Sequence, residues 1–187
     1  MKKYLFAIVL GVLLASPVYA QMGAEKMAPA PASNPITAGE KGSYEMVKGY
    51  ILKSAELAPP AVFAFKATTE VRTFGQIVGH IADANYMMCS AAAGEKSPGS
   101  GDIEKTKKTK ADLSSALAES FAYCDKVFAA MTDADGAQVV KFMGDMDSAK
   151  LSILSFNTAH DFEHYGNLVT YLRLNKLVPP STQMGAR

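Results

Sequence analysis

Residues 156–181 read FNTAHDFEHYGNLVTYLRLNKLVPPS and contain the pattern on which the fold assignment depends. Their apolar side chains recur at steps of three and four, which is typical of an amphipathic helix with one face on a core. The pattern predicts a long helix that is capped by Asp147 or Ser148 and continues to about Lys176. The Pro179-Pro180 pair then ends it, because proline cannot continue a helix.

Three further amphipathic helices are predicted upstream of this one. Pro59-Pro60 ends the first, while Thr73 can cap the second and Gly94 terminates it. The three helices cover about residues 40–57, 74–93 and 109–131, and residues 137–146 form a short strand-like or irregular stretch. Four long amphipathic helices in one small domain predict an all-α four-helix bundle with long connections.

The N-terminal segment has the pattern of a secretory signal peptide. Lys2 and Lys3 precede an apolar run of about 12 residues, and Val18-Tyr19-Ala20 offers small residues at the positions that signal peptidase reads. The pattern predicts cleavage after Ala20 and a periplasmic or secreted protein. An apolar run of this length is too short to span a bilayer, which needs about 20 residues, so no stable membrane insertion is expected.

The remaining chain divides by composition into three parts. Residues 21–38 are rich in Ala and Pro without apolar periodicity and are interpreted as a flexible tether. Residues 39–182 form the predicted bundle domain, and residues 183–187 form a C-terminal tail.

Composition excludes several classes of protein. The 187 residues are 49% hydrophobic and 20% charged, with a net charge of +1, so the chain is neither disordered nor strongly basic. Removal of residues 1–20 takes away two lysines and leaves 17 − 18 = −1. The lysine-rich run 105–110 is flanked by acidic residues and is interpreted as a solvated surface. No nucleic-acid partner is expected, whereas a small-molecule substrate and a homodimer are both compatible with the sequence.

The chain has three histidines, and their spacing predicts a metal site. His160 and His164 are four residues apart, so they lie on one face of the fourth helix. His80 lies near the apolar side of the second helix. Three imidazoles in one core are costly to desolvate, whereas a divalent cation uses their lone pairs. Three protein ligands with an open fourth position are typical of catalytic zinc, although imidazole also suits nickel, copper and iron.

The segments EVRTFGQIVGHIADANYMMCS (70–90) and FNTAHDFEHYGNLVTYLRLNKLVPPS (156–181) resemble the DinB-like (DinB/YfiT) superfamily of four-helix bundles. The resemblance covers about residues 40–182. It implies a divalent metal, commonly zinc or nickel, bound by His80, His160 and His164 with water completing the shell. Some relatives are thiol S-transferases or thiol-dependent isomerases. The predicted leader departs from that pattern, because the low-molecular-weight thiols they use belong to the cytoplasm.

Acidic residues beside the histidines are candidates for proton transfer. Residues 160–164 match the H-x-x-E-H signature of zinc proteases, in which Glu163 would be the general base. The 23 residues after His164 contain no Asp or Glu to complete such a site, so a protease is not favoured. Glu163 and Asp161 still flank the site and could orient an imidazole or accept a proton; an exposed glutamate and an aspartate paired with a neighbouring helix are the alternatives. Asp83 and Asn85 are weaker candidates.

The two cysteines are Cys89 and Cys124, and export would favour a disulfide between them. If the second and third helices form an antiparallel hairpin, the two residues are offset by roughly 16 Å, which is too far for a bridge. If these helices are parallel, the cysteines are level, and the resemblance implies such a parallel central pair. A disulfide and two buried thiols both stay open.

The function that fits best is metal-dependent catalysis by an exported protein, with activation of water or of a thiol, as in a hydrolase or a thiol transferase. The alternative is a non-catalytic metal-binding or interaction module of the cell envelope. A metal that faces a concave pocket would favour the enzyme, and a fully enclosed site would favour the module. Met87 and Met88 are interpreted as core methionines rather than copper ligands.

Overall fold

The computed structural model describes residues 33–185. The predicted signal peptide, residues 21–32 of the tether and the last two residues of the tail lie outside that range. The elements are α1 (Pro35–Leu57), α2 (Pro60–Phe63), α3 (Phe74–Ala93), α4 (Ile103–Thr106), α5 (Lys110–Ala130), α6 (Asp133–Gly136), β1 (Val139–Phe142), β2 (Met146–Ala149), α7 (Lys150–Leu174) and α8 (Pro180–Gly185). The four long helices α1, α3, α5 and α7 confirm the predicted all-α bundle.

The ends of the two central helices follow their capping residues. The Thr73 hydroxyl accepts from the backbone N–H of Gln76, whose side chain in turn accepts from the backbone N–H of Thr73. Gly94 ends α3 with a φ of +73°, a conformation that a residue without Cβ adopts readily. The Thr109 hydroxyl caps α5 by accepting from the backbone N–H of Asp112. These bounds confirm the sequence prediction, since local capping determines them.

Helix α1 begins five residues before the predicted start near residue 40. The carboxylate of Asp133 accepts hydrogen bonds from the backbone N–H groups of Ile36 and Thr37, at 3.2 and 2.8 Å. This caps the first turn from a distant part of the chain, and Thr37 is buried. Residues 35–38 therefore belong to α1, and the prediction that the tether extends to residue 38 is wrong.

The start of α7 also differs from the prediction. Asp147 and Ser148, the expected caps, lie in β2, which pairs with β1 in an antiparallel hairpin. The helix begins after Ala149 without a side-chain cap, and the Lys150 N–H donates to the carbonyl of Gln138. The strand-like interpretation of residues 137–146 is confirmed for β1. The polar residues after it complete a hairpin instead of starting the helix.

The relative directions of the helices follow from pairs of contacting residues. In α1 and α7, Glu40 contacts Ser155 and Tyr50 stacks on Tyr165, so these helices are parallel. Helices α3 and α5 are also parallel, with Asn85 bonded to Ser120 and Cys89 level with Cys124. Across the two pairs, α3 and α7 run antiparallel, as do α1 and α5. The bundle therefore has the parallel central pair that the resemblance implies.

The core lies between the four long helices. Its largest fully buried side chains are aromatic: Tyr44, Phe74, Phe121 and Phe128. Cys89 and Cys124 form a disulfide between α3 and α5, with both residues buried and their Cα atoms 5.4 Å apart. None of the described helices is both long enough and apolar enough to cross a membrane.

Candidate metal centre

The three histidines meet where α3 packs against α7. His80 lies in the second turn of α3, and His160 and His164 lie on successive turns of α7. The Nε2 atom of His160 is 3.2 Å from His80 Nε2 and 3.0 Å from His164 Nε2. One nitrogen from each ring lies within 4.8 Å of the other two. The helix spacing and the antiparallel packing thus bring the predicted ligands together.

The outer nitrogens of two imidazoles have polar partners. His80 Nδ1 lies 3.3 Å from Glu104 Oε2, and a proton on this nitrogen leaves the Nε2 lone pair facing the cluster. His164 Nδ1 lies 3.4 Å from the side-chain amide of Asn167. The two ends of an amide are interchangeable by rotation, so the Asn167 oxygen can accept this proton. His160 Nδ1 is buried without a hydrogen-bond partner among the described residues.

Glu104 is held in place by its own contacts. Arg72 Nε donates to Glu104 Oε1 over 2.8 Å, and the Tyr171 hydroxyl fixes the Arg72 segment by donating to its carbonyl. The Asp83 carboxylate accepts from the backbone N–H of Glu104 and of its neighbour Ile103, at 3.0 Å each. Asp83 therefore positions α4 and does not face the histidines as a ligand.

Gly79 allows α4 to approach α3 closely. A Cβ atom at this position would lie 2.7 Å from the Cα of Glu104, closer than atoms can pack. The absence of a side chain immediately before His80 thus lets the Glu104 backbone rest on the helix, within reach of the imidazole.

Burial disfavours protonation of the two histidines on α7. Burial, followed by the neighbouring His160 and His80 and by Arg72, lowers the pKa of His164 to about 3. Burial, followed by His80, also lowers the pKa of His160. A neutral imidazole keeps a lone pair for a cation, whereas a protonated one does not.

The geometry and the donor set fit a divalent ion. Zinc binds histidine nitrogen at about 2.0–2.1 Å, which places two nitrogens of a tetrahedral shell about 3.3 Å apart. The two Nε2 separations at His160, 3.2 and 3.0 Å, are close to that value. Imidazole donors suit zinc, nickel, copper and iron, so the residues fit a metal without selecting one.

A cavity of about 580 Å³ opens beside the cluster, with His80 and His160 in its wall. Phe156, one turn before His160 on α7, also lines it and is half-exposed. Ile153, nearly one turn earlier on α7, is buried, whereas Phe156 faces the cavity.

The two acidic residues that flank the histidines differ in their surroundings. Asp161 is fully buried, and its Oδ2 accepts from Asn157 Nδ2 over 3.5 Å, while Asn157 also donates to Asn85 Oδ1. Burial raises the pKa of Asp161 well above its usual value. Glu163 is exposed to solvent. The structure thus brings together the three histidines, but not Asp161, whose contacts are in the core.

Sequence reasoning missed Glu104, Arg72 and Asn167. Glu104 lies in a charged connection without periodicity, where no pattern singles out one residue. The available signal was Gly79, because a glycine inside a helix indicates close approach of another backbone. Gly79 indicates that another segment packs against α3 beside His80, but it does not identify Glu104 as the residue.

Comparison with known families identifies the group to which this bundle belongs. A family model described as the DinB superfamily matches residues 44–168, a segment that contains all three histidines. The chain belongs to the DinB superfamily. No curated protein matches it.

Several solved structures share the DinB-superfamily fold. A DinB-like protein from Bacillus cereus superposes with a TM-score of 0.67 and 17% identity, over 76% of this chain and 95% of that one. A DinB-like protein from Bacillus subtilis gives 0.60 and 15%, over 76% and 93%. The mycothiol-dependent maleylpyruvate isomerase gives 0.57 and 15%, over 71% of this chain and 60% of that one. At these identities the likeness shows the fold alone.

Proposed function

We propose that this DinB-superfamily protein is exported and binds one divalent metal ion through His80, His160 and His164, and that it uses the ion to transform a small molecule. The observation that carries the proposal is the meeting of one nitrogen from each of the three imidazoles, beside a cavity that His80 and His160 line. Zinc and nickel are the metals we expect first.

The surrounding residues would fix the ligands. Glu104 would hold His80 with its Nδ1 protonated and its Nε2 lone pair on the metal, and Arg72 would keep the carboxylate in place. Asn167 would do the same for His164. A bound divalent ion would lower the pKa of a coordinated water or thiol and so supply a nucleophile at neutral pH.

Both nucleophiles are compatible with this site. The fold is shared with a mycothiol-dependent isomerase, which suggests a thiol, whereas the predicted export away from cytoplasmic thiols suggests water. Glu163, on the exposed side of α7, is the candidate that could exchange a proton with solvent. Asp161 is not proposed for this role, because its hydrogen bonds are in the core.

The second candidate function is a non-catalytic metal-binding module of the cell envelope. The cavity favours the enzyme, because a site that only stores or senses a metal needs no space for an organic ligand next to it. His80 and His160 both line about 580 Å³ of open space. This volume lies within the range of about 300–1,000 Å³ that small-molecule sites occupy.

The test of the metal site is elemental analysis of the purified mature protein after metal-replete expression. We expect one equivalent of metal in the wild type and in a Thr170→Ala control on the exposed face of α7. A His160→Ala, His164→Ala double variant should contain less than a tenth of this amount. Equal metal in the double variant, or none in the wild type, would refute the three-histidine site.

Export is tested separately from metal binding. Mass spectrometry of the protein recovered from the periplasm or the medium should give a chain that begins at Gln21. A full-length chain that stays in the cytoplasm would contradict export but leave the metal site standing.

A further inference from the structure

The cavity beside the histidines is surrounded by large apolar side chains that remain exposed. Met87 on α3 is 44% exposed, Met143 in the hairpin turn is 64% exposed and Phe156 on α7 is 48% exposed. They come from three separate elements, yet they line one space next to His80 and His160. Exposed apolar side chains gathered around a single cavity are typical of a binding site for an apolar ligand.

The hairpin turn places Met143 at this cavity despite an unfavourable backbone conformation. Met143 has a φ of +46° and is followed by Gly144 at +91°. A residue with a Cβ atom rarely adopts the left-handed region, where Gly or Asn is usual. A methionine kept there, with its side chain on the cavity, points to a role for that side chain in the site.

The charge of the cavity wall restricts the ligand further. Among the described residues that line it, none is Lys or Arg, and Asp83 is the one acidic residue. The Asp83 carboxylate already accepts from two backbone N–H groups. Away from the metal, the wall therefore offers hydroxyl groups and apolar atoms but no cation, so an anionic group bound there would lose its hydration without a counter-charge.

We infer that this cavity binds the uncharged, apolar part of a small-molecule substrate, with Met87, Met143 and Phe156 as the contacting side chains. The inference rests on the proposed function for the reacting end of the substrate, which would face the histidines. The inferred charge preference disfavours any substrate with a carboxylate away from the reacting atom, including thiols that carry such a group. Binding of the apolar part does not need the metal, so the two proposals can fail independently.

The experiment compares two probes of nearly the same shape, the neutral 3-phenylpropanamide and the anionic 3-phenylpropanoate. Each is titrated into the full mature protein, freed of metal with a chelator and labelled with ¹³C at the methionine methyl groups. We expect the amide to shift the Met87 and Met143 signals while Met46, which is exposed on α1 and away from the cavity wall, stays unchanged. The carboxylate should bind at least fivefold more weakly.

A variant pair identifies the contacting side chain. Met143→Gly suits the left-handed backbone and should keep the fold, but it should weaken amide binding at least threefold. Met46→Ala is the control and should bind as the wild type does, because Met46 is exposed on α1 away from the cavity. Equal binding of amide and carboxylate would overturn the inferred charge preference. No shift at Met87 and Met143, or equal shifts at Met46, would overturn the site itself, whatever elemental analysis shows for the metal.

Discussion

Helix α3 forms two interfaces that differ in chemistry. Toward α5 it presents apolar side chains and Cys89, which is bonded to Cys124, and the contact is closed to solvent. Toward α7 it presents His80, whose ring meets His160 and His164 beside an open cavity. The first interface can be explained by stability alone, whereas the second places polar rings where apolar ones would pack at lower cost.

The difference between the two interfaces also appears in how their polar groups are satisfied. Asn85 faces inward, donates to Ser120 on α5 and accepts from Asn157 on α7, so it is bonded within the protein. The Nε2 atoms of His80 and His164 instead both lie within hydrogen-bond distance of His160 Nε2, which carries at most one proton and can donate to only one of them. The convergence of three ring nitrogens on one point is what separates the candidate site from the scaffold.

The largest expected effect on stability is at the disulfide between α3 and α5. Replacing both cysteines, Cys89→Ala and Cys124→Ala, frees a crosslink between residues 35 apart in sequence. The chain-entropy relation gives a loss of about 4 kcal/mol in the free energy of unfolding. Urea denaturation of the metal-free protein should show this loss, while the metal content of the folded variant stays at one equivalent. Loss of metal with retained folding would mean that the two interfaces are not separable.

Acid should destabilise the fold through the histidines between α3 and α7. The pKa of His164 is lowered to about 3, so between about pH 6.5 and 3 the unfolded chain binds a proton there that the folded chain does not. Stability therefore falls as the pH falls through this window, by up to about 1.4 kcal/mol per pH unit for one such group. Urea titrations of metal-free protein at pH 6.5 and 4.5 measure the slope.

The His164→Phe variant serves as the comparison for this slope. It removes the titrating group and keeps a ring in the same position, so it should reduce the acid dependence. An unchanged slope would show that the buried imidazole is not its source.

An intermediate effect is expected at Glu104. The Glu104→Ala variant removes the carboxylate beside His80 Nδ1, and loss of such a partner weakens metal binding about 10–100-fold. Isothermal titration with zinc measures the change. Lys105→Ala, at the next position of α4 and exposed, is the control and should bind zinc as the wild type does. A change of less than threefold for Glu104→Ala would place this residue outside the site.

The sequence predicts well the features that depend on residues close together in the chain. Apolar periodicity and the capping residues Thr73 and Gly94 predict the central helices almost to the residue, and the i, i+4 spacing predicts the ligand pair on α7. These features depend on neighbours in the chain. The start of α1 does not, because its cap is Asp133, almost a hundred residues away, and no local pattern contains that contact.

The same distinction explains which site residues were missed. Glu104 reaches His80 because Gly79 and Asp83 dock α4 on α3, a tertiary contact without a periodic signature. Conversely, Asp161 is a candidate from sequence because it lies about 100° from His160 and about 60° from His164 on an ideal helix. The rotation of about 100° between consecutive residues of a helix is enough to turn the Asp161 carboxyl into the core, where it contacts Asn157, while His160 lines the cavity.

The smallest effect is therefore expected at Asp161. Asp161→Asn keeps the shape of the side chain but removes an acid whose pKa is raised by burial, so ionisation near neutral pH no longer opposes folding. The free energy of unfolding at pH 7 should change by less than about 1 kcal/mol, toward greater stability. Zinc affinity, measured as for Glu104→Ala, should change less than twofold, because the carboxyl bonds to Asn157 rather than to an imidazole. A tenfold loss of zinc affinity would instead place Asp161 with the histidines, and the division between a packed core and a ligand-binding interface on α7 would have to be given up.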